Sequence, residues 1–158
     1  MLAAAGEKAA LAGRDDIAEY LRLKATNDAI RSAGVEWLLS AVIETAFEVE
    51  GHPQSIAVER LDGHTFGHGS STMAGSLLSV RFGVRCLSVE AGWTRAPSHG
   101  IMRGQALARA NVSHFGRPRD AEHLRLVRGE DLPKWVRDDQ SEFTPDDVRR
   151  HLNILLDL

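Results

Sequence analysis

The stretch Leu77–Trp93, LLSVRFGVRCLSVEAGW, is the longest β-rich run in the chain and sets most of what it can become. In an extended backbone Leu78, Val80, Phe82, Val84 and Cys86 fall on one side, and Ser79, Arg81, Gly83 and Arg85 on the other. A period of two marks a strand with one dry face and one wet face. At Leu87 and Val89 the apolar phase slips by one residue. Such a slip needs a bulge or a tight turn, and Phe82-Gly83 is the place for it, since glycine reaches backbone conformations closed to other residues. Two geometries satisfy the pattern: one long bulged strand, or a short hairpin.

A half-dry sheet has to be covered, and the segments on either side supply helices. Between Val35 and Phe47 the residues Val35, Leu38, Leu39, Val42, Ile43, Ala46 and Phe47 follow the spacing of one helical stripe. Glu36, Glu44, Glu48 and Glu50 lie off that stripe and form an acidic face able to complement a basic sheet, within the chain or across a dimer. A preceding helix is expected over Arg14 to Ser32, with Gly34 breaking the two apart and Gly51-His52-Pro53 ending the second. At the other end Thr144-Pro145-Asp146-Asp147 has the form of a helix start, with Thr as N-cap, Pro at N1 and an acid at N3. Val148, Leu152, Leu155 and Leu156 then recur at helical spacing.

The remaining strands are shorter. Ser55–Leu61 is half alternating and predicts a first strand, and His123–Arg128 alternates cleanly and predicts a last one. Gln105–Phe115 could be helical through its alanines; strand is the preferred of the two readings, because Leu107, Arg109 and Asn111 share a side and Gly104 and Gly116 flank it. Thr94–Gly104 and Gly116–Asp120 are connections by their glycine and proline content. Arg128–Gln140 reads as polar chain in which Trp135 plugs one end of a core. Sequential strands joined by turns favour an antiparallel meander. The fold expected is therefore α+β: N-terminal helices, an antiparallel sheet of four to five strands and a C-terminal helix. It forms one domain over residues 1–158, with 1–13 frayed.

Asp62–Gly75, DGHTFGHGSSTMAG, is expected to be a long glycine-rich loop, unless it hides a short strand, running up to a strand that starts at Met73. Loops of this length inside a compact domain are more often functional than not. Two chemistries attach to it. Gly67-His68-Gly69-Ser70-Ser71-Thr72 offers backbone N–H groups and hydroxyls of the kind that cradle phosphate, although the lysine of a P-loop is missing. His64 and His68 stand four apart, the spacing that seats two imidazoles on one metal when the backbone is helical; the glycines around them argue against a helix, and no HExxH accompanies them.

Charge decides how these alternatives rank. The chain of 158 residues has a net charge of −3, and the balance is uneven. Residues 1–62 and 129–158 are acidic, while residues 63–128 carry nine basic side chains against three acidic ones, and all nine are arginine. The planar guanidinium fork matches carboxylate and phosphate oxygens in pairs. A plainer reading is a solvated sheet face neutralised by acidic helices. Glu90, alone among these arginines between Gly63 and Arg119, is read as the ion-pair partner of one of them.

The functional expectation is a non-catalytic binding or regulatory module that contacts an anionic small molecule or an acidic protein surface through Arg81, Arg85, Arg95, Arg103, Arg109, Ser70 and Ser71. Nucleic acid is a weaker match, because the basic third holds few aromatics for stacking: Phe66, Phe82, Trp93 and Phe115. The alternative is a small metal-dependent hydrolase using His64 and His68, joined by His99 or His114. No cofactor is expected. The single Cys86 reads as a small buried hydrophobe. With no long apolar run and no basic leader, a cytoplasmic setting away from membranes is expected. Three apolar helices competing for one dry sheet face further suggest a homodimer, with the tail helix around Leu152 as its interface.

Overall fold

The structure, a computed structural model, describes residues 15–49, 55–102 and 106–157. The expectations for residues 1–13, for the Gly51-His52-Pro53 stop and for Arg103 lie outside the described residues.

Helix α1 (Asp15–Val49) is followed by six strands, β1 (Ile56–His68), β2 (Ser71–Phe82), β3 (Arg85–Trp93), β4 (Ala108–His114), β5 (Glu122–Val127) and β6 (Lys134–Val136), and then by helix α2 (Pro145–Leu156). The strands pair antiparallel in chain order, β1 to β6, as an uncrossed meander. The architecture is the expected α+β, with six strands rather than four or five. The strand not foreseen is β6, where Trp135 is buried as the plug of the core; β2 begins at Ser71, two residues before the expected Met73.

The central stretch is a hairpin. Gly83 takes a left-handed φ of 62° in the turn between β2 and β3, and the register then runs Phe82↔Arg85, Val80↔Leu87 and Leu78↔Val89. The phase slip at Leu87 is the chain reversing. The reversal also corrects two side assignments: Val84 sits on the turn at 94% exposure, and Cys86 pairs with Arg81 on the face opposite Leu78 and Val80. Directly opposed residues share a face of an antiparallel sheet. One face therefore collects Leu78, Val80, Leu87, Val89, Ala91, Ala110, Val112, Leu124, Leu126 and Trp135, all buried.

Both helices lie on that face. Val35, Leu38, Leu39, Val42 and Ala46 of α1 and Val148, Leu152, Leu155 and Leu156 of α2 join the strand residues in one core, and α1 and α2 also pack on each other. Leu152 is fully buried there. The tail-helix stripe that argued for a dimer is taken up within the chain, since among the described residues two helices, not three, share the sheet face and each other. The acidic flank of α1 is matched within the chain: Glu36 takes Arg60 of β1, and Glu48 takes Arg149 of α2.

The described residues hold two helices rather than three because α1 runs unbroken through Gly34. The glycine serves packing: a Cβ there would collide with both terminal methyls of Leu126, and the bare backbone lets β5 approach. Its carbonyl also accepts the Trp135 indole N–H at 3.0 Å. The Asp62–Gly75 loop is likewise corrected to paired strand. β1 continues to His68, a register irregularity falls between Asp62 and His64, and only Gly69 and Ser70 turn before β2. Two of the glycines are demanded by the sheet itself. Gly75 and Gly92 oppose each other, and a Cβ on either would run into backbone of the neighbouring strand.

Candidate functional site

The open face of the sheet holds the polar side chains. Leu77, Glu90, Asn111 and His123 form one cross-strand row, Gly75, Gly92, Arg109, Arg125 and Val136 the next. The β1–β2 turn and the β3–β4 connection close over one end of it: Ser71 Oγ donates to the carbonyl of Ile101 at 3.2 Å, and Met73 is buried beneath. A cavity of about 240 Å3 lies there, lined by His68, Ser70, Ser71, Met73, Ile101 and Arg109.

This cavity gathers three of the residues singled out from sequence, Arg109, Ser70 and Ser71, together with His68. Its lining carries a guanidinium and an imidazole and no carboxylate. Arg109 stands directly opposite Arg125 on β5, and like charges facing each other across a strand pair repel. Burial first, and then Arg125, lowers the pKa of Arg109, against a partial offset from Asp138. His68 is held below its ordinary value by burial and then by Arg109 and His123, so its ring favours the neutral form. The Ser70 hydroxyl, the His68 imidazole and the Arg109 guanidinium around one small space make a set of donors suited to an oxyanion, with the Ser71 hydroxyl spent on the Ile101 carbonyl.

The other nominated residues are elsewhere. Arg81 is exposed near the far end of β2, 3.4 Å from Glu59 and ten residues, about 33 Å of strand, from Ser71. Arg85 reaches toward the end of α2, with Leu155 O and Asp157 each at 3.4 Å. Arg95 lies over the Trp93 ring at 4.0 Å. His64 and His68 are four residues apart on a strand, not a helix, so their backbones are about 13 Å apart and the rings do not converge on one ion. His64 Nε2 meets Glu90 instead, at 2.6 Å, so the one carboxylate between Gly63 and Arg119 pairs with a histidine and not with an arginine. Among the described residues no three His, Cys, Asp or Glu are grouped as a metal site would require.

A second polar constellation was missed from sequence and lies in the interior. His114 Nε2 is 2.8 Å from His151 Nδ1, and His151 Nε2 is 2.5 Å from Glu122 Oε2. Arg137 binds Glu122 and Asp147, each at 2.5 Å, and Arg150 joins Glu122 at 2.9 Å. His151 is 1% exposed and His114 6%. Burial opposes charge on Glu122, but its bonds from Arg137, His151 and Arg150 hold its carboxyl below the usual range. An ionised Glu122 only accepts, so His151 donates from Nε2 and must accept at Nδ1 from the Nε2–H of His114. The bonds all point one way, and both imidazoles are neutral: burial, the largest cause, pushes His114 down to about 4 and lowers His151 despite Glu122. Two periodicities carry the signal for this chain. His151 shares the helical stripe of Val148, Leu152 and Leu155, and His114 shares the dry side of Ala108, Ala110 and Val112.

The helices of the described residues include none long and apolar enough to cross a membrane. No protein-family model, curated protein or solved structure matches the chain, so the reading of the site rests on its own geometry.

Proposed function

We propose that the protein is a non-catalytic binding module that holds a small anion-bearing ligand, a phosphate or carboxylate group, in the cavity at the β1–β2 turn. The observation that supports this reading is the convergence of Arg109, Ser70, Ser71 and His68 on one space, with Arg125 beside them. At about 240 Å3 the cavity falls below the ~300–1,000 Å3 typical of sites for drug-sized ligands, which favours a single anionic head group over a whole cofactor. A nucleic-acid strand fits less well, because Phe66 and Trp93 are buried and form no exposed row of stacking surfaces.

Isothermal titration with inorganic phosphate and with a nucleoside monophosphate, at low and at high sodium chloride, tests the reading. Saturable binding is expected at low salt, weakened about tenfold or more in Arg109→Gln and unchanged in Arg81→Gln, since a charged hydrogen-bonded contact is lost only in the first. Absence of binding by either probe at low salt, or equal binding by Arg109→Gln, overturns it.

A further inference from the structure

On the helix side of the sheet a groove of about 640 Å3 runs between the middle of α1 and the β5–β6 edge. Its floor is Gly34, Leu126, Trp135 and Phe143, and its walls are Trp37 and Leu132. The floor is rigid: Trp135 is anchored by its bond to the Gly34 carbonyl, and Leu126 fills the space that Gly34 leaves. The walls are not covered by anything in the described chain. Trp37 is 43% exposed and Leu132 77% exposed. A wet tryptophan and a wet leucine facing each other over an apolar floor is the arrangement found where a few large side chains carry most of a binding energy.

Charge specifies the occupant. Glu130 and Glu142 stand on the lining against a single base, Lys134. Arg137, the other base of the segment that supplies this side, is engaged with Glu122 and Asp147. A purely apolar ligand would draw nothing from that rim, and an anionic one would be repelled by it. We infer that the groove docks a segment of a partner protein that inserts one bulky apolar side chain, leucine or aromatic, between Trp37 and Leu132 and carries lysine or arginine on either side of it. The cavity is large enough for one or two such side chains. The surface is separate from the anion cavity, so each can fail without the other.

Panning a phage-displayed random dodecapeptide library on the full chain tests this. The enriched peptides are synthesised and titrated by tryptophan emission, which Trp37 and Trp135 report from inside the groove. Expected is a shared leucine or aromatic flanked by basic residues, with salt-sensitive affinity. Binding should fall about tenfold or more in Leu132→Ser, as truncating a central anchor does. Glu130→Lys should weaken it several-fold, and Arg109→Gln should leave it unchanged. Leu132 and Glu130 are exposed, and circular dichroism of each variant confirms that it is folded. Enrichment of acidic peptides or of no common class, or equal binding by Leu132→Ser, overturns the proposal. So does a wild type that sediments as a dimer and becomes a monomer on Trp37→Glu, which would assign the groove to a second copy.

Discussion

Acid should loosen this protein well before its carboxylates are protonated, and the reason is the buried histidine pair. In the unfolded chain His114 takes a proton below about 6.5; in the fold burial holds it neutral down to about 4. A folded pKa below the unfolded one means that the unfolded state binds the extra proton, so stability is full above pH 6.5 and declines as pH falls toward 4, then levels. Each unit of difference corresponds to about 1.4 kcal/mol, so His114 alone accounts for a loss of about 3 kcal/mol across that window. With His114 at 6% exposure, solvent screening takes little from that figure. His151 is shifted the same way and adds to the loss. The carboxylates act lower: Asp147, depressed to about 2 against 3.8 by Thr144 and Arg137 in opposition to burial, contributes stability that disappears only as pH falls through its folded value. Urea unfolding at half-unit steps from pH 7.5 to pH 4.5 reads the effect directly. His114→Gln keeps an N–H donor for His151 Nδ1 and removes one titration, so its profile should be flatter by about one proton, roughly 1.4 kcal/mol per pH unit in the steep part. A wild-type profile that is level from pH 6.5 to 4.5, or a His114→Gln profile with the same slope as wild type, would refute the reasoning.

Two further outcomes concern the core. Leu152→Glu should abolish the folded state rather than split an assembly, because an unpaired carboxylate placed where Leu152 is fully buried costs more than about 4 kcal/mol; loss of cooperative melting, against a merely lighter but still folded species in sedimentation, checks it. Gly34→Ala should lower stability by about 1 kcal/mol even though alanine gains about that much in helix propensity, since the added methyl overpacks against Leu126; a raised melting temperature would show that Leu126 yields.

How far the sequence carried the reading can be traced through single residues. The cap of α2 was legible because its chemistry is local: the Asp147 carboxylate accepts from Thr144 N–H at 2.8 Å and from its hydroxyl at 3.1 Å, as the Thr-Pro-Asp-Asp run implies. A break at Gly83 was legible because the alternation slips phase beyond it, but the pattern fitted a bulge as well as the reversal that forms. The β1–β2 arm was hidden by its glycines, which look like loop yet include Gly75, placed where the neighbouring strand leaves no space for a Cβ. Gly34 misled in the same way, since nothing near it in sequence announces Leu126, 92 positions away. The site followed suit. Arg109, Ser70 and Ser71 were named with Arg81, Arg85 and Arg95, and only strand register shows which of these meet.

The order of the elements also governs how the chain can be made. All the strands lie between α1 and α2 in sequence, and both helices dry the same sheet face. During synthesis each hairpin can zip as it appears, within microseconds, because every strand pairs with the one before it. The core cannot close at that point. Val148, Leu152 and Leu155 arrive with the twenty residues after Val136, which at about 5–20 residues per second takes about one to four seconds. Through that interval the ribosome carries a sheet covered by α1 alone, with the part of its apolar face that α2 will later seal open to any sticky neighbour.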